Sequence, residues 1–126
     1  MNADGRILIA DDEDSLRWVL EKGFRSAGYQ VTAVKDGTAA LREVEAGPFD
    51  LILLDIRMPH MDGYEVAARL AQMKLENTKV VAVTASAMVG DRERITAAGF
   101  DGYIQKPIDP ETFIADIQRF LRQETR

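Results

Sequence analysis

The sequence predicts one α/β domain, a parallel five-stranded sheet, doubly wound, with helices on both faces. Two apolar runs carry that prediction, Ile7-Leu8-Ile9-Ala10 and Leu51-Ile52-Leu53-Leu54. Neither alternates with polar residues, which is how strands buried on both faces read. Both end abruptly in acids, the first in Asp11-Asp12-Glu13 and the second in Asp55. The third observation is that the segments between the strand-like runs have helical periodicity, as the crossovers of a parallel sheet require.

In chain order, Arg6 to Ala10 is expected to be a strand. Ser15 to Ala27 follows as a helix with Leu16, Leu20, Phe24 and Ala27 on one stripe, stopped by Gly28, and Trp18 falls off the stripe. Val31 to Val34 is a short β-branched strand, Asp36-Gly37 a turn, and Thr38 to Glu45 a helix with Ala40, Leu41 and Val44 inward, ending at Gly47-Pro48. Leu51 to Asp55 is the third strand; beyond the Met58-Pro59 loop, Asp62-Gly63 opens a helix carrying Val66, Ala67, Leu70 and Met73. Val80 to Thr84 is the fourth strand, and Ala87 to Ala98 a helix stopped by Gly99. Asp101 to Gln105 is the last strand, Lys106-Pro107 a turn, and Pro110 to Arg122 a closing helix with Phe113, Ile114, Ile117, Phe120 and Leu121 inward. Right-handed crossovers and five strands suit the flavodoxin-like order 2-1-3-4-5, a three-layer (βα)5 sandwich. That order places a crevice between strands one and three, where Asp11, Asp12 and Asp55 converge.

Composition narrows the function classes. With 126 residues at 46% hydrophobic, the chain suits one compact domain, residues 1–126 with a core over about 6–121. It has no cysteine, so disulfides, thiolate metal sites and cysteine nucleophiles are excluded. No stretch approaches the roughly 18 apolar residues of a membrane span, and Met1-Asn2-Ala3-Asp4 does not resemble a signal peptide, so a cytoplasmic protein without membrane contact is expected. A net charge of −5 disfavours direct nucleic-acid binding and suits metal ions and basic partners.

The acidic pair Asp11-Asp12, Asp55 followed by Met58-Pro59 and Asp62-Gly63, Thr84-Ala85, and Lys106-Pro107 occur in this order, each at or just after a strand end. Through these pieces the chain resembles the receiver, or CheY-like, domain of two-component response regulators, from about Arg6 to Leu121. Three carboxylates in one crevice repel one another and call for a cation, and Mg2+, which prefers oxygen ligands, suits them. The resemblance implies Asp12 and Asp55 as direct ligands, Asp11 holding a metal-bound water, and the Arg57 carbonyl as a further oxygen. It implies Asp55 as the phosphoacceptor, with Thr84 donating a hydrogen bond to the phosphoryl group and Lys106, before a cis proline bond, pairing with it. Tyr103, three residues before Lys106, is then the aromatic partner of Thr84 in a switch read out on helix four, strand five and helix five, including Met88 and Arg92. The implied phosphodonor is a histidine kinase or histidine phosphotransfer protein, and the implied output is contact with a downstream protein, with phosphorylation-dependent dimerisation left open. Arg57 and Ser86 occupy positions where this family varies its phosphate lifetime; neither carries a carboxylate or carboxamide to orient water, so slow self-hydrolysis is expected.

Each residue also has a plainer reading. Asp11 and Asp12 can cap the first helix, Lys106-Pro107 can be a surface turn, Thr84 can satisfy backbone groups, and Tyr103 can be ordinary strand packing. Trp18 reads as surface more readily than as a docking residue, and His60, the only histidine, as solvated in a polar loop. Two other function classes compete. Aspartyl-phosphate phosphatases carry a second aspartate two residues after the nucleophile, where this chain has Arg57. A binding module with a vestigial site would be indifferent to Asp55→Asn. Because the sequence stops soon after the last helix with no helix-turn-helix, a stand-alone receiver without an output domain is expected, although an excised receiver of a longer regulator would read nearly the same.

Overall fold

The computed structural model describes residues 5–85 and 88–124. Five strands alternate with five helices in the order β1 (Arg6–Ala10), α1 (Asp14–Ser26), β2 (Gln30–Val34), α2 (Gly37–Ala46), β3 (Leu51–Asp55), α3 (Gly63–Met73), β4 (Lys79–Thr84), α4 (Val89–Ala97), β5 (Gly102–Gln105) and α5 (Pro110–Glu124). All strand pairs are parallel, and the sheet order is β2-β1-β3-β4-β5. The register pairs Ala10 with Leu54, Asp55 with Val83 and Thr84 with Gln105, so the carboxyl ends of the central strands lie side by side.

Side chains alternate across the sheet and divide the core in two. Leu8, Ile52, Leu54 and Ala82 pack with Ala40 and Val44 of α2, Val66 and Leu70 of α3 and Ile95 of α4. Ile7, Ile9, Leu51, Leu53 and Val81 pack on the other face with Leu20 and Phe24 of α1 and Phe113 and Ile117 of α5. This double burial explains the uninterrupted apolar runs: all five residues of β3 are buried, the terminal aspartate included.

Helix ends follow local chemistry. Asp36 caps α2 by accepting the Ala39 N–H at 2.8 Å. Asp62 and Glu65 form a reciprocal capping box at the start of α3. Gly28 and Gly99, both at φ near +100°, end α1 and α4 in the left-handed conformation that glycine adopts without cost. The expected boundaries hold to within a residue or two. The Ala87 start expected for α4 lies outside the described residues, and the observed helix begins at Val89. This helix is the least anchored: Ile95 is its buried residue, while Val89 and the preceding Met88 are largely exposed. Arg94 ties it to α3 by lying over the Tyr64 ring at 3.9 Å, and Tyr64 in turn meets Phe100 edge-on.

Candidate functional site

The β1–α1 turn begins where β1 runs out. The Asp11 N–H still donates to Val34 at 3.1 Å, continuing the ladder, and its side chain accepts the Glu13 N–H at 2.8 Å, which curls the chain into α1. Arg17, one turn into α1, donates from Nη1 to the Asp11 carbonyl at 2.8 Å and pairs with Asp14. Neither Asp11 nor Asp12 is the N-cap of α1; that position is Glu13, whose side chain makes no capping bond. The capping reading of the acidic pair is thereby replaced by one in which both carboxylates face the crevice.

Asp55 closes β3. The Arg57 N–H donates to its Oδ1 at 3.2 Å, and the Ile56 N–H bonds to Val83 at 3.0 Å, so the segment after the strand is held on the edge of β4. Gly63 fixes it from the other side. Its N–H donates to Ile56 at 2.9 Å, and a Cβ there would stand 2.6 Å from the Asp55 carbonyl oxygen and 2.8 Å from Ile56 Cα. Helix α3 can therefore approach the Asp55 segment this closely only through a glycine.

Asp11, Asp12 and Asp55 each present a carboxylate oxygen, and these lie within 4.8 Å of one another. Asp11 and Asp55 are buried, while Asp12 is exposed at the mouth. Three hard oxygen donors with one open side fit a small divalent cation that keeps some of its water, as Mg2+ does. Lys106 reaches into the same space from the end of β5, anchored by its N–H to Thr84 at 2.7 Å and followed by a cis peptide to Pro107. Its Nζ is 3.5 Å from Asp55 Oδ2 and 3.6 Å from Asp11 Oδ2. Thr84, at the end of β4, is buried beside this group. Beside Asp12 a cleft of about 580 Å³ opens between the β3–α3 loop and α4, with Arg57, Asp62 and Arg94 on its walls.

Burial, and then the neighbouring Asp11 charge, push the Asp55 carboxyl up to about 6 against the restraining Lys106 ammonium. Asp11 is raised too, chiefly by burial. Burial pulls Lys106 down, but the facing Asp11 and Asp55 outweigh it and leave the ammonium above its usual range. A carboxyl that holds its proton more tightly folded than unfolded makes stability fall as pH rises between the two pKa values. Without divalent cations the domain is therefore expected to lose stability, by about 1–3 kcal/mol from Asp55 alone, between about pH 4 and 6. Mg2+ at about 100 times its Kd should restore roughly 2.7 kcal/mol at pH 7.5 and almost nothing at pH 4, where the Asp55 carboxyl holds its proton. Urea unfolding at both pH values, with and without the ion, measures this. Equal Mg2+ effects at both would contradict it.

The structure brings together Asp11, Asp12, Asp55 and Lys106, ties Lys106 to the Thr84 carbonyl at the end of β4, and puts Arg57 on the adjoining loop. Tyr103 is on β5 opposite Ala82, so strand alternation places it on the same face as Thr84, 37% exposed. Trp18 is exposed beneath Lys22, and His60 is exposed in the β3–α3 loop at φ 72°. Ser86 lies outside the described residues. Sequence reasoning missed Glu13, Arg17 and the close approach at Gly63. Glu13 directly follows the acidic pair and was the one of these within reach of inspection.

Residues 7–118 match the response regulator receiver domain family, and the chain belongs to it. It is a receiver of two-component signal transduction, a signalling class whose members accept phosphate from histidine kinases and act on downstream targets. Among curated proteins, the transcriptional activator protein IrlR of Burkholderia pseudomallei is 37% identical over 118 residues, covering 94% of this chain and 51% of that protein. The sensor histidine kinase RcsC of Escherichia coli is 36% identical over 107 residues, 85% of this chain and 11% of the kinase. The chain thus spans about half, or less, of the length of these relatives. A crystal structure of a CheY-like response regulator receiver domain protein from Methanospirillum hungatei superposes with a TM-score of 0.88 at 28% identity, covering 98% of both chains. No helix among the described residues is long and apolar enough to cross a membrane.

Proposed function

We propose that Asp55 is the phosphoacceptor of this receiver and that its loading requires Mg2+ held by Asp11, Asp12, Asp55 and the Arg57 carbonyl. The observation that carries the reading is the placement of the Lys106 ammonium 3.5 Å from Asp55 Oδ2 inside a cluster of three aspartates. Bound there, the cation would supply positive charge that offsets the carboxylate repulsion and the negative charge of the transferred phosphoryl group. An Asp55 oxygen attacks phosphorus in line as the bond from phosphorus to the donor nitrogen, an imidazole of a histidine kinase or histidine phosphotransfer protein, breaks with its electron pair. The Thr84 hydroxyl donates to a second oxygen of the transferred group, and Lys106 pairs with the third. The cleft beside Asp12 gives the donor room to approach.

The loaded state is read elsewhere. Thr84 and Tyr103 share a sheet face, and α4, with Ile95 as its buried residue, is the helix least costly to shift. Drawing Thr84 toward the phosphoryl group lets Tyr103 move inward and repacks α4, β5 and α5 for a downstream protein or a second copy of the chain. Exposed Met88 and Val89 at the start of α4 enlarge the apolar surface there. The span 6–121 acts as one receiver domain in the cytoplasm, and Asp55 phosphate decays slowly by self-hydrolysis because Arg57 does not orient water. Ser86, the other position expected to set that rate, is outside the described residues.

Incubation with acetyl phosphate and Mg2+, followed by intact mass, tests the assignment. The expected result is a gain of one phosphoryl unit, hydroxylamine-labile, mapping to Asp55, with amide shifts around Tyr103. An unmodified protein, or modification at another residue, overturns it.

A further inference from the structure

Lys106 faces three carboxylates, and the third does not belong to the metal-binding cluster. Its Nζ is 3.6 Å from Glu13 Oε1, as close as to Asp11. The Glu13 side chain is 55% exposed, against 3% for Asp11 and 4% for Asp55, so it stands at the mouth of the crevice. Its position before α1 usually calls on a side chain to cap the helix, yet Glu13 makes no capping bond and turns to the lysine instead. The neighbouring acids are otherwise engaged. Asp14 pairs with Arg17, and Asp12 is part of the aspartate cluster.

We propose that Glu13 is a positioning residue that competes with the incoming phosphoryl group for the Lys106 ammonium, slowing the loading of Asp55 from dianionic donors. The inference rests on the roles assigned to Asp55 and Lys106 above. When a donor arrives with the cation in place, Asp11 and Asp55 have another positive partner and release the ammonium readily. Among the described residues Lys106 is the cation that Glu13 faces, so Lys106 must leave an ion pair to reach the phosphoryl oxygen. Because Glu13 is largely exposed, water and salt screen its hold on the lysine, and the competition is modest and sensitive to ionic strength.

The test is Glu13→Gln, which keeps the side-chain length and removes the charge, with loading from acetyl phosphate followed at saturating Mg2+. Loading is expected to be about two- to fivefold faster than wild type at low ionic strength and nearly equal to it near 1 M salt. Mg2+ affinity and thermal stability should stay close to wild type. In a Lys106→Ala background the gain should disappear, since the competition acts through the lysine. Equal or slower loading by Glu13→Gln overturns the proposal, as does a full gain in the Lys106→Ala background, which would mean simple repulsion of the donor. If wild type itself fails to load at Asp55, the assignment of the acceptor falls as well. If wild type loads and Glu13→Gln merely equals it, only the role of Glu13 falls.

Discussion

Asp55→Asn is expected to take up no phosphoryl group from acetyl phosphate with Mg2+, and at the same time to be more stable than wild type in the absence of the ion. The first effect follows from chemistry: a carboxamide lacks the anionic oxygen that attacks phosphorus. The second follows from burial. At pH 7.5 Asp55 is ionised although burial and the Asp11 charge have raised its pKa to about 6, so folding carries the cost of keeping that charge in the crevice. Asparagine removes the charge and still accepts the Arg57 N–H, for a gain of about 1–3 kcal/mol after allowance for the lost Lys106 contact. Mg2+ should then stabilise the variant far less than wild type, because one of the three carboxylates that could hold it is gone. Intact mass and thermal melting with and without Mg2+ check both halves. A variant that still gains a phosphoryl unit would move the acceptor elsewhere, and one less stable than wild type without Mg2+ would mean that Asp55 is a net stabiliser.

Gly63→Ala is expected to be the most damaging single-methyl change near the site. The added Cβ would meet the Asp55 carbonyl oxygen at 2.6 Å and Ile56 Cα at 2.8 Å, and both are backbone, which cannot rotate away. Either α3 withdraws or the segment from Asp55 to Arg57 shifts. Overpacking of this kind costs about 1–3 kcal/mol, roughly 4–12 °C in melting temperature for a domain of this size. Because Arg57 and Asp55 sit on the displaced segment, Mg2+ affinity and loading should fall together with stability. Gly90→Ala is the control: its Cβ has nothing within 4 Å, and alanine in α4 should add about 0.5–1 kcal/mol. Thermal melting and Mg2+ titration of the two variants check the contrast. A Gly63→Ala protein that melts with wild type and binds Mg2+ equally would refute it.

Strand positions, helix spacing and the acidic strand ends were legible because they follow from local rules. A short apolar run such as Leu51-Ile52-Leu53-Leu54, bounded by Pro48 and by Asp55, reads as a doubly buried strand, and Gly28 and Gly99 end helices for steric reasons that act within one turn. The order β2-β1-β3-β4-β5 was anticipated as one of two common solutions, and contacts between distant segments selected it. Boundaries moved where neighbours extended a ladder: Gln30 joins β2 through pairing with Arg6, and Lys79 joins β4 through pairing with Leu51. Glu13 received no role of its own because sequence alone does not say that Lys106, distant in the chain, ends within reach of it.

The sequence by itself determined the residue types the chemistry needs and the strand ends on which they sit, since strand burial and helix stops depend on neighbours a few residues away. Tertiary structure decided which charges meet: Lys106 shared among Asp11, Asp55 and Glu13, Arg17 bracing the Asp11 carbonyl, and Gly63 pressed against Asp55. The Lys106 contacts join segments far apart in the chain, and the energies of all these contacts depend on distances of a few ångströms and on burial, which exist only once the sheet has closed around them.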